Sequence, residues 1–232
     1  MKRKRIKNVI LMTAAMLLFL TIIICMVIFA VRFFKLKADT GSVNGSLAET
    51  ISTALTDGIV IKTDYIKPNE YSRPQTELKK VNAIVIHYTA NPGTSAKNNR
   101  SYFEGLAQSH ATKASSHFII GLKGEILQCI PLNEISYASN ERNSDTISIE
   151  CCHPDETGKF NDKTYDSLIA LAGRLCVEYD LKADDIIRHY DITQKKCPLY
   201  YVEHEDAWKQ MKKDIMAEAK ELKTELADKD KQ

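Results

Sequence analysis

Three side chains in this sequence have the chemistry to grip a metal ion: His87, His189 and Cys197. His87 closes the apolar run Val81-Asn82-Ala83-Ile84-Val85-Ile86-His87, and His189 follows a second short apolar pair, Ile186-Ile187. Cys197 comes eight residues after His189, ahead of Pro198, which would stiffen the chain behind it. Ends of buried strands are where a rigid scaffold presents side chains to a cleft. Two imidazoles and a thiolate suit zinc, which takes nitrogen and sulfur donors tetrahedrally. Three protein donors leave a fourth position open for water, whose acidity the metal raises. The spacing alone is not specific, because a packed thiol beside an unrelated surface histidine has the same pattern.

Glu150 is the next candidate. It sits in Thr146-Ile147-Ser148-Ile149-Glu150-Cys151-Cys152, a strand-like run in which side chains alternate faces. Ile147, Ile149 and Cys151 then share the core face, and Ser148, Glu150 and Cys152 the other. A carboxylate in an apolar strand is either on a solvated face or placed there as a general acid or base. Lys195, two residues before Cys197, could stabilise an oxyanion or be a surface lysine of a basic loop. Lys196 would point the opposite way in an extended segment, so it is a candidate for neither role.

The elements that must position these residues are legible in outline. Residues 81–87 read as a buried strand, Asn91-Pro92-Gly93 as a break and 97–108 as a short helix. Runs from Ser116 to Gly121 and Glu125 to Ile130 flank Leu122-Lys123-Gly124, a hairpin pattern. Leu168, Leu171, Ala172, Leu175 and Tyr179 recur at helical spacing, with Asp162 as a possible N-cap. Trp208, Met211, Ile215, Ala219 and Leu222 mark a last helix, which should run after residue 217 into a solvated, frayed tail. The order predicts an α/β fold: a central mixed β-sheet flanked by helices.

The N-terminus is a different kind of sequence. Val9 to Val31 carries no charge over 23 residues, and a bilayer core needs roughly 20. Lys2, Arg3, Lys4, Arg5 and Lys7 precede it, against Arg32, Lys35 and Lys37 after it, so the first end belongs in the cytoplasm. The run is longer than the apolar region of a cleaved signal peptide, and Arg32, Phe33, Phe34 and Lys35 follow it, which favours an uncleaved anchor. The expected organisation is a basic cytoplasmic tail 1–8, a transmembrane signal anchor 9–31, a tether 32–61, a folded domain 62–217 and a charged tail 218–232. Within that domain, 62–80 reads as an extended arm. The domain is expected outside the cytoplasm, on the cell-wall side of a single-pass membrane protein. The 32 basic and 30 acidic residues nearly cancel, which gives no footing for nucleic acid as a partner. Cys129, Cys151, Cys152, Cys176 and Cys197 are an odd number outside the apolar run, so at least one is not in an intramolecular disulfide.

Ala83-Ile84-Val85-Ile86-His87-Tyr88-Thr89, Ser115-Ser116-His117-Phe118-Ile119-Ile120, Thr146-Ile147-Ser148-Ile149-Glu150 and Arg188-His189-Tyr190-Asp191 with Lys195-Lys196-Cys197-Pro198 follow one another in this chain. Together they resemble the type 2 N-acetylmuramoyl-L-alanine amidases, a family that includes phage endolysins, bacterial autolysins and peptidoglycan-recognition proteins. The resemblance spans roughly residues 65–215. It implies a mixed sheet with helices and one zinc ion per chain, held by His87, His189 and Cys197. It implies Glu150 as the catalytic glutamate and Lys195 as the group that stabilises the transition state. The implied reaction is hydrolysis of the amide joining the lactyl group of N-acetylmuramic acid to L-alanine in peptidoglycan, by a monomeric catalytic domain. Some members carry a tyrosine just before the histidine equivalent to His117; here that position is Ser116, so the reliance falls on Glu150. His117 itself either lines the groove or packs. Two other readings stand beside this one. The first is a wall-binding module of the same fold without catalysis, which characteristically lacks a zinc ligand. The second is a cysteine peptidase using Cys197 or Cys152.

Overall fold

The computed structural model describes residues 59–229. The expected tail 1–8, the apolar run 9–31 and the tether up to residue 58 lie outside the described residues. Among the described residues no helix is long and apolar enough to cross a membrane.

Six strands form one mixed sheet: β1 Ile61–Thr63, β2 Ala83–Tyr88, β3 Phe118–Ile120, β4 Ile126–Gln128, β5 Thr146–Cys151 and β6 Ile186–Arg188. Their spatial order is β1-β4-β3-β5-β2-β6. Among these six strands only the β3–β4 hairpin is antiparallel; the other pairings within the sheet are parallel. Parallel strands need both faces covered, and β2 shows it: Ala83, Ile84, Val85 and Ile86 are all buried.

Among the described residues the α-helices are α1 Ala96–Ser109, α2 Asp162–Glu178, α3 His189–Thr193, α4 Leu199–Glu203 and α5 Glu205–Lys229. Ser95 caps α1, its side chain accepting from the Asn98 backbone N–H. Phe103 and Leu106 of α1 join Ile119, Leu127, Cys129 and Cys152 in one core cluster. Phe118 and Ile120 point to the opposite face, and α2 contacts the same strand. The cap of α2 is Asn161 rather than the expected Asp162: its Oδ1 accepts from the Thr164 N–H at 2.9 Å. The two long helices α2 and α5 pack on each other, and Gly173 lets them approach. A Cβ there would meet the Glu218 Cβ at 2.9 Å.

Two segments differ in form from expectation. The arm 62–80 is woven into the domain. Ile61–Thr63 pairs with β4, Ile66 is fully buried, and Arg73 donates to both carboxylate oxygens of Glu134 at 2.8 and 2.7 Å. A three-residue edge strand has no periodicity to read; it exists because β4 offers a free edge. The helix α5 also continues past residue 217 to Lys229, although its last buried residue is Ala219. Ala, Glu, Lys and Leu favour helix even where nothing is buried.

Candidate metal and catalytic site

The parallel register of β2 and β5 pairs His87 with Glu150, which sets both side chains on the same face. His189 arrives at the first position of α3, directly after β6, the other neighbour of β2. Cys197 is brought alongside by the loop after α3, where the Tyr190 N–H donates to the Cys197 carbonyl at 3.0 Å and the Cys197–Pro198 bond is cis. The donor atoms of His87, His189 and Cys197 lie within 4.8 Å of one another. The structure thus gathers all three residues that the sequence singled out.

These residues fit a tetrahedral metal. The His87 Nδ1 stands 3.7 Å from the Cys197 Sγ. Zinc–sulfur and zinc–nitrogen bonds at a tetrahedral angle would put those atoms about 3.6 Å apart. The His87 and His189 rings are 4.8 Å apart, centre to centre, and tilted by 60°. The outer nitrogens face elsewhere, His87 Nε2 towards the Ser139 hydroxyl at 3.5 Å and His189 Nε2 to the Asn140 Oδ1 at 3.0 Å. Burial, the neighbouring His189 and the Lys195 charge hold His87 well below the usual imidazole range; burial and Lys195 lower His189 as well. Neutral rings are what a metal requires. Burial and the Glu150 carboxylate push the Cys197 thiol up to about 12. Only a bound cation would draw off its proton at neutral pH.

Glu150 Oε2 is buried and has no hydrogen-bond partner among the described residues. Desolvation pushes its carboxyl up to about 8, with the Lys195 ammonium acting against the rise. Lys195 is exposed and lines the same groove, whereas Lys196 turns away to pair with Glu203 at 2.8 Å. The groove, about 450 Å³, runs past Tyr102, Lys113, Tyr137 and Asn143 to the His87–His189–Cys197 cluster.

The face of β5 that carries Glu150 is not solvated beneath it. Ser148 is fully buried, bonded to the Ser136 hydroxyl at 2.7 Å and donating its backbone N–H to the His117 Nδ1 at 3.1 Å. The other nitrogen of His117 donates to the Glu134 carbonyl at 2.9 Å. His117 therefore packs and does not line the groove. Burial brings it down to about 4, so it is a neutral ring. Among the described residues all five cysteines are buried and free. Burial pushes the Cys152 thiol up to about 12, and its polar neighbour is the Asn99 amide at 3.6 Å. Neither Cys152 nor Cys197 has the lowered pKa of a nucleophile.

Arg188 is a supporting residue that sequence reading missed. It is 8% exposed and bonds Asp191, the Tyr201 carbonyl and Glu205 while lying 5.1 Å over the Trp208 ring. It ties the start of α3, and so His189, to α4 and α5. Its place directly before His189 was visible, but the partners that make it a hub lie up to 20 residues on.

Residues 77–199, more than half of the chain, match the family described as N-acetylmuramoyl-L-alanine amidase. The chain is 36% identical over 157 residues to the N-acetylmuramoyl-L-alanine amidase CwlL of Bacillus licheniformis, covering 62% of this chain and 43% of that protein. It is 34% identical over 179 residues to the N-acetylmuramoyl-L-alanine amidase BlyA of Bacillus subtilis (strain 168), covering 68% and 47%. It thus spans less than half the length of these relatives. The catalytic domain of XlyA superposes with a TM-score of 0.56 at 25% identity, over 68% of this chain and 99% of that one. The PlyG catalytic domain shares the fold, with a TM-score of 0.59 at 22% identity over 69% and 96%. With a family match that runs from the end of the arm through Cys197 over more than half of its length, the chain belongs to the N-acetylmuramoyl-L-alanine amidase family.

Proposed function

We propose that this chain is a zinc-dependent amidase that hydrolyses the bond between the lactyl group of N-acetylmuramic acid and L-alanine in peptidoglycan. One zinc ion per monomeric domain would be held by His87, His189 and Cys197. The observation that carries this reading is the convergence of those three donors beside the unpartnered carboxylate oxygen of Glu150. Bound zinc supplies Lewis acidity and makes water a stronger acid.

The chain's own residues supply the rest. Glu150 accepts the proton of the attacking water and delivers it to the departing L-alanine nitrogen, leaving a carboxylic acid and a free amine. Desolvation makes the carboxyl hold its proton well enough to deliver it, and the Lys195 ammonium, acting against that rise, favours the carboxylate form that accepts it. Lys195 supplies positive charge where the carbonyl oxygen becomes negative. Tyr102, Lys113 and Tyr137 give the groove apolar faces and a cation for a glycan-linked peptide. Retention of Cys197 with both histidines supports turnover over a purely wall-binding role.

The N-terminal sequence supports a membrane tether: an uncharged run of 23 residues behind a basic cluster. The domain would then work on the wall side of the membrane.

The test is zinc content of the purified chain together with release of L-alanine-terminated peptides from isolated wall. A chelator should abolish release and zinc should restore it. Wall digestion that a chelator leaves untouched would rule the reading out.

A further inference from the structure

Both candidate ligand rings are met on their outer nitrogens by two adjacent residues of one loop. Ser139 Oγ lies 3.5 Å from the His87 Nε2, and Asn140 Oδ1 lies 3.0 Å from the His189 Nε2. An amide oxygen can only accept, so the His189 Nε2 must carry the proton, and Nδ1 is left as the free lone pair. The loop is built to hold that position. The Asn143 Oδ1 accepts from the backbone N–H of Ala138 at 3.0 Å and of Ser139 at 2.6 Å. The Arg142–Asp145 pair closes the turn behind it. Asn140 itself adopts φ +52°, in the left-handed region that Asn tolerates better than most residues. It is exposed as a residue and covers no core.

We propose that Asn140 is a positioning residue for the metal: its side-chain oxygen selects the His189 tautomer that offers Nδ1 and holds the ring on the cluster. The inference rests on the zinc reading above. Outer-shell partners of this kind are worth about 10–100-fold in metal affinity.

The experiment uses the full chain in detergent, with zinc affinity read by competition against a chromophoric chelator. Two variants are compared with the parent. Asn140→Gly accepts the backbone angle and deletes the acceptor; Asn140→Asp keeps an acceptor oxygen. Asn140→Gly should bind zinc at least about tenfold more weakly, without lowering the melting temperature of the metal-free protein. Asn140→Asp should bind zinc as tightly as the parent or more so. With cobalt in place of zinc, the visible bands should shift in Asn140→Gly and not in Asn140→Asp. Equal affinity in Asn140→Gly, or a loss that Asn140→Asp does not restore, overturns the proposal while leaving the zinc site intact. A parent chain that binds no zinc overturns the metal reading itself.

Discussion

His87 and Glu150 are register partners across β2 and β5, so a candidate metal ligand and a carboxylate stand side by side on one face of the sheet. A slip of one residue would send Glu150 to the opposite face and dissolve the pairing. Ile84, Ile86, Ile147 and Ile149, all fully buried, pin that register from the other face.

This adjacency separates metal holding from proton transfer. Glu150→Gln should retain about one zinc per chain and lose activity by 10²–10⁴, a magnitude typical of general acid–base groups. Metal analysis and wall digestion on the same sample would check it. Loss of zinc in the variant would mean that Glu150 is a ligand and not a base.

Lys195 should act on turnover and not on metal content. Lys195→Ala is expected to lower kcat by roughly 10²–10³, with a small change in KM. Lys195→Arg should recover part of the loss. A fall confined to KM would assign Lys195 to substrate binding alone.

His117 should give the fold an acid limit. Its folded-state pKa is lowered to about 4, so the unfolded chain binds more protons between the two values. Its stabilising contribution is present above the ordinary imidazole pKa near 6.5 and is lost as pH falls towards 4. The full shift corresponds to about 3 kcal/mol. Urea unfolding at neutral pH and near pH 4.5 should show a smaller difference in His117→Gln than in the parent. Parallel slopes would show that His117 is not the titrating group.

Arg188 should matter to the fold before it matters to chemistry. Arg188→Met removes charge-assisted bonds to Asp191 and Glu205 and the bond to the Tyr201 carbonyl. A cost of about 2 kcal/mol or more in unfolding free energy is expected. Zinc affinity should fall with it, because His189 directly follows Arg188. Unchanged denaturant midpoints would contradict the role of Arg188 as a tie between α3 and α5.

What the sequence determined by itself was local. The apolar run ending at His87, the alternation around Glu150 and the helical spacing of Leu168, Leu171 and Leu175 specify elements because each is encoded within a few residues. The candidate ligand set was legible through residue type and the order of four motifs, not through the distances between them. Only the tertiary structure decided which groups meet. Ser148 lay on a face that could have been solvated, yet β3 and the 115–117 segment bury it against His117. Nothing in the sequence singled out Ser139 and Asn140, yet the fold brings them to histidines about fifty residues away on either side. Ile61–Thr63 became a strand only because β4 had an edge to offer. Spacing along the chain encodes which way a side chain points on its own element; what it touches depends on register and packing between distant segments.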